Sequence, residues 1–297
     1  MKPNLRQPFL ARIFWLLPLL GGCIGYRTAL EDASQGSAAG HADAGAEARN
    51  SDLRLNTRTS PNCTSVDPYV MLLGDDTYLY RFDPDALTLT PLASVGCAGS
   101  DLNSMAVSTI GPAYISNHLG DLCAVDLTTF RSSLTRFNPF SILQEPFGMA
   151  LLPDDTPAGQ TLYIAPTGDR KSSVLSRIDL TTFALTTVGR ITPDVPPPEL
   201  TAGPNGELYG FSIGTSTSLL LNMDPKTGAA IDVTTVPAGY DWPSFALVYW
   251  QGQFFLFVGA SSASQSEVFG YRKGEAQVRH LGTLGVGIIG AGVAQCH

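Results

Sequence analysis

The chain repeats one phrase of apolar and polar positions. "LYRFDPDALTLTPLA" (79–93), "LCAVDLTTFRSSLTRF" (122–137), "LSRIDLTTFALTTVG" (175–189) and "LLNMDPKTGAAIDVTTV" (220–236) each hold a mainly apolar run, an aspartate, a short polar turn and a second, alternating run. Alternation with period two marks a strand, so each phrase predicts two strands joined by a turn. Ahead of each lies another strand-like run: "PYVMLLG" (68–74), "PAYISN" (112–117), "TLYIAP" (161–166) and "ELYGFS" (207–212), with "QFFLFVGA" (253–260) ahead of a fifth, "VFGYRKGEAQV". Earlier still comes a third run, rich in small residues: "SMAVS" (104–108), "GMALL" (148–152), "ELTAG" (199–203) and "SFALVY" (244–249). No such run precedes "PYVMLLG"; the fifth copy, "GAGVAQ" (290–295), stands at the C-terminal end.

Two sets of markers give one period. Asp83, Asp126, Asp179, Asp224 and Arg272, which fills the same place, are 43, 53, 45 and 48 residues apart, and the small-residue runs begin 44, 51, 45 and 46 apart. A unit of about 47 residues with four short strands predicts an all-β chain folded as a five-bladed β-propeller. The small residues suit innermost strands crowded at an axis. The offset order predicts velcro closure, with the last run completing the blade that "PYVMLLG" begins. The repeated aspartates read as turn chemistry: such a carboxylate accepts backbone N–H groups two or three residues on, and Pro84 and Pro225 preset φ beside it.

Composition changes the picture at the N-terminus. Lys2, Arg6 and Arg12 precede the apolar "IFWLLPLL" (13–20), too short for a hydrocarbon core that needs about twenty residues. "LGGC" (20–23) follows and resembles the bacterial lipoprotein signal, which implies a signal peptide over 1–22 and a lipid on Cys23. Ile24, rather than aspartate, after that cysteine points by the same resemblance to the outer membrane. Residues 23–62 are rich in Ala, Gly, Ser and acid without apolar period, and read as a flexible tether to a propeller over 63–297. The formal charge is −8, or −11 without the first 22 residues, which argues against nucleic acid as a partner. With Cys23 lipidated, Cys63, Cys97, Cys123 and Cys296 form an even set in an oxidising compartment. Cys63 and Cys296 flank the two ends of the ring and are expected to staple it, which leaves Cys97 and Cys123 to pair.

The runs "SMAV", "PFGMAL", "ELTAGPNGELYGF", "SFALVYWQGQFFLF" and "IIGAGVAQC" resemble a family of secreted bacterial propeller lipoproteins with no assigned activity. The resemblance covers 63–296 and implies the fold and a cell-envelope location. It carries over no catalytic residue.

Chemistry is harder to find. HExxH, G-x-S-x-G, P-loop and dinucleotide motifs are missing, and His118, His280 and His297 are scattered, so neither metal nor cofactor is expected. One arrangement stands out. Asp101, Glu145, Glu199 and Asp241 lie before or at the start of four of the five inner runs, with Asn103 and Trp242 beside them. Strand openings in a propeller surround the channel mouth, so these six residues form a candidate ligand site. Two functions are compatible with them. One is a lipid-anchored, monomeric binding or scaffold module without catalysis, holding an unidentified protein or glycan partner. The other is an extracytoplasmic carbohydrate-active hydrolase or lyase working with these acids.

Overall fold

The predicted runs become strands, except that the outer strand of the fifth phrase lies just past it, at Arg279–Leu284. The structure, a computed structural model, describes residues 68–97, 101–167, 173–214, 218–236, 244–259 and 264–294. In chain order the strands are β1 (Tyr69–Gly74), β2 (Tyr78–Asp83) and β3 (Thr88–Ser94); β4 (Leu102–Val107), β5 (Ala113–Asn117), β6 (Leu122–Val125) and β7 (Ser132–Leu134); β8 (Phe147–Pro153), β9 (Gln160–Pro166), β10 (Val174–Ile178) and β11 (Leu185–Arg190). There follow β12 (Glu199–Ala202), β13 (Leu208–Ser212), β14 (Ser218–Met223) and β15 (Ala230–Val236); β16 (Ser244–Trp250), β17 (Gln253–Gly259), β18 (Ser266–Tyr271) and β19 (Arg279–Leu284); and last β20 (Ile288–Ala294). They form five four-stranded antiparallel sheets, the first ordered β20-β1-β2-β3. Tyr69 pairs with Ala294 and Leu73 with Gly290, so the chain's last strand closes its first blade. The protein is a five-bladed β-propeller.

The inner strands β20, β4, β8, β12 and β16 each pack on the next around the axis. Their small residues are a steric requirement. A Cβ on Gly290 would stand 2.8 Å from the Met105 backbone nitrogen, and one on Gly292 would stand 2.6 Å from Val107 Cγ2. Those contacts also show β20 and β4 running in the same direction, so inner strands open at one end of the channel. Between neighbouring blades lie five apolar clusters, one per interface. The closing interface holds Phe82 edge-on to Phe255 and Phe257. The next one round holds Tyr209 and Tyr249 against Phe254. Both faces of each blade are thus buried, which is why β1 and β17 read as near-continuous apolar runs rather than alternating ones.

The repeated aspartate shapes the outer hairpin of four blades. Asp126 accepts the N–H groups of Thr128 (2.8 Å) and Thr129 (2.7 Å), and Asp179 those of Thr181 (2.9 Å) and Thr182 (2.7 Å). Asp83 does the same for Asp85 and Ala86, and Asp224 for Lys226. Four residues after each aspartate the backbone turns left-handed, at Leu87 (φ 52°), Phe130 (φ 55°), Phe183 (φ 59°) and Gly228 (φ 78°). Bulky residues avoid that region. Here the turn holds them there, and the Leu87, Phe130 and Phe183 side chains pack onto inter-blade cores. Arg272 breaks the pattern: its N–H is taken by Glu275 Oε2 at 2.8 Å, and Gly274 (φ 93°) makes the turn.

Cys97 and Cys123 form a disulfide that ties the connection after β3 to β6 of the second blade. The predicted Cys63–Cys296 staple, the lipid site Cys23, and the signal and tether segments lie outside the described residues.

Candidate channel-mouth site

Glu199 is the first residue of β12, where the fourth blade reaches the channel. Its Oε1 accepts a hydrogen bond from Ser104 Oγ of β4 at 2.7 Å, and its carboxyl also accepts from the backbone N–H of Met149 in β8. One side chain therefore links the second, third and fourth blades. Gly148 makes room for it. A Cβ there would lie 2.9 Å from Glu199 Oε2, 2.8 Å from its Cα and 2.4 Å from the Pro198 carbonyl oxygen. A second link runs beside it: Asn103, at a register shift in β4, donates through Nδ2 to the Phe147 carbonyl at 3.1 Å. Although the residue as a whole is only half-buried, its carboxyl lies deep enough that burial pushes it from an ordinary value of 4.5 up to about 8. The two hydrogen bonds pull the other way and are outweighed. Near neutral pH this carboxyl holds its proton.

The other predicted acids are placed differently. Glu145 accepts from Thr167 Oγ1 at 2.7 Å, within its own blade's loops. The Asp101 side chain is 85% exposed, 3.9 Å from His118 Nε2, while the His118 N–H donates to the Asp101 carbonyl at 2.9 Å. Asp241 and Trp242 lie outside the described residues. Glu199 and Asn103 are thus brought together, and Asp101 and Glu145 each have a separate local partner. Among the described residues no group of three or more His, Cys, Asp or Glu side chains could hold a metal ion.

An acid at the fifth opening was hidden from the repeat count because it comes from another part of the blade. Asp75, in the β1–β2 turn, donates its N–H to the Gly287 carbonyl at 2.8 Å, just before β20. Its carboxyl lies where a Cβ on Gly287 would be, 2.4 Å from Oδ2. Burial, and then the neighbouring Asp76 charge, raise it above the usual carboxylate range. Asp76 accepts from the Tyr80 hydroxyl at 2.5 Å, and burial together with that bond pushes Tyr80 up to about 12. The two aspartates line an open depression of about 250 Å³ with Ser264, Gly285 and Val286. The sequence signal was the "GDD" of residues 74–76, which reads as an ordinary turn until closure puts it beside β20.

No protein-family model matches the chain, and no curated protein matches it. Solved structures similar to parts of the chain include three of note. Hydrazine synthase from Kuenenia stuttgartiensis is 14% identical over 74% of this chain and 67% of its own, with a TM-score of 0.43. A chain of a nidogen/laminin complex is 9% identical over 76% and 98%, at 0.48. A GH43_1 enzyme from Xanthomonas citri is 10% identical over 62% and 74%, at 0.47. Likeness at this level says nothing of activity.

Proposed function

We propose that the chain is a lipid-anchored propeller of the cell envelope that binds a protein or glycan partner at its channel mouth and does no chemistry on it. The observation that carries this reading is the use made of Glu199. A catalytic carboxyl must meet its substrate, whereas this one is engaged by Ser104 and the Met149 N–H behind Gly148. It acts as a clasp between blades, which leaves a rigid rim for recognition. The lipid on Cys23, the outer-membrane address and kinship with secreted propeller lipoproteins belong to the same reading and rest on the sequence.

A carbohydrate-active hydrolase is the second reading, and one observation favours it: a glutamate that keeps its proton near neutral pH has the property of a general acid. Screening the purified protein and its Glu199→Gln variant against a glycan panel, for both capture and turnover, separates the two. The binding reading expects glycans or partners captured equally by both proteins, with none cleaved. Turnover by the wild type that disappears in a folded Glu199→Gln variant would establish the hydrolase instead.

A further inference from the structure

The connection from β7 to β8 is built to expose two large apolar side chains. Pro139–Ile142 form a short 3-10 turn, opened by Asn138, whose Oδ1 accepts the Phe140 N–H at 3.1 Å. Ile142 is buried in the core between the second and third blades, beside Phe137 and Phe147. Its neighbours point the other way: Phe140 is 69% exposed and Leu143 82%. The loop holds this shape by placing two successive non-glycine residues, Leu143 and Gln144, at φ 57°. Gln144 N–H closes it onto the Pro139 carbonyl at 2.9 Å. Leu119, 57% exposed, projects from the adjoining β5–β6 turn, where a Cβ on Gly120 would be 3.1 Å from Ile142 Cδ1. Single exposed apolar residues are ordinary; here three stand on two abutting, internally bonded loops.

We infer that Leu119, Phe140 and Leu143 dip into a lipid surface without net charge and set the propeller's orientation on it. This rests on the lipid-anchor reading of Cys23. The three project from loop tips on the same end of the ring as the channel mouth, so they suit insertion between headgroups better than a flat protein contact. Among the described residues Asp101, Asp121 and Glu145 flank them, so anionic headgroups would be repelled. The length of chain before the domain fits as well. β1 starts at the opposite end of the channel, so an anchored chain must pass round the rim, a path of about 45 Å for four strands of six or seven residues. The 39 residues between Cys23 and Cys63 span up to about 130 Å, enough for that path.

The test attaches a polarity-sensitive fluorophore at Phe140→Cys, Leu143→Cys or, as a control, Ile231→Cys on the outer strand of the fourth blade, in the full lipidated chain on phosphatidylcholine vesicles. Labels at 140 and 143 should report an apolar medium and be quenched by nitroxide lipid, while the label at 231 should not. With a label at Leu119→Cys, the Phe140→Ser/Leu143→Ser change should cut lipid quenching about tenfold or more. Equal access of an aqueous quencher to 140, 143 and 231 overturns the inference. So does protection of those labels in whole envelopes but not on vesicles, which would mean a protein partner. Failure of the protein to float with vesicles, with quenching restored by excess lipid, would remove the anchor and leave the docking surface standing.

Discussion

Replacing Glu199 by glutamine keeps nearly the same shape and an acceptor oxygen for Ser104 Oγ while removing one ionisable group. In the unfolded chain that carboxyl ionises near 4.5; in the ring it holds its proton to about 8. Between those values the folded state binds more protons than the unfolded one, so stability falls as pH rises. The loss is absent below 4.5, grows through the neutral range and levels off above 8. At about 1.4 kcal/mol per pH unit the whole span amounts to about 5 kcal/mol. Between about pH 6 and pH 8 the wild type should lose roughly 2 kcal/mol that the variant does not. Asp75, whose carboxyl is also raised, titrates in the same direction, so the comparison must be wild type against variant rather than wild type alone. Urea midpoints at several pH values measure it, and the matching shift in Tm is about 4–8 °C for a domain of this size. Parallel curves for the two proteins would refute a protonated, buried Glu199.

Three further outcomes follow from the packing. Gly148→Ala should destabilise by about 3 kcal/mol or prevent folding, because its Cβ meets the Pro198 carbonyl and the Glu199 backbone; Gly252→Ala, at φ 83° with open space around it, should cost only about 1 kcal/mol, both read from denaturant melts. Asp126→Ala removes the acceptor for the Thr128 and Thr129 N–H groups and should cost about 1 kcal/mol by the same measurement. Removing the Cys97–Cys123 bond, which spans 26 residues, should lower stability by about 3 kcal/mol on loop entropy, seen as a lower urea midpoint in a Cys97→Ala/Cys123→Ala variant.

The ring was legible because its signal is repeated. Every inner and second-strand run became a strand within a residue or two, and "GAGVAQ" closed the first blade, since period-two burial and small axial residues are local properties of each blade. The aspartate turns were half legible. Carboxylate capping could be read from the phrase, but the left-handed Leu87, Phe130 and Phe183 could not, because only packing between blades makes those conformations tolerable. The mouth was less legible still. The Glu199–Ser104 bond joins residues 95 apart on blades that are not neighbours in sequence, and no periodic pattern encodes a carboxyl reaching past a glycine. Asp75 escaped for the same reason, since its neighbour Gly287 arrives only on closure. The exposed Phe140 and Leu143 fall in the long interval between Asp126 and Asp179, where the repeat offers no template.

The most direct measurement is the infrared difference spectrum of wild type minus Glu199→Gln across the neutral range. A carboxyl clasped at the channel mouth predicts the carbonyl stretch of a protonated carboxylic acid at pH 7, giving way to carboxylate bands near pH 8. Carboxylate bands already complete at pH 6, with no protonated band in the wild type, would mean an ionised glutamate open to solvent, and the clasp would be contradicted.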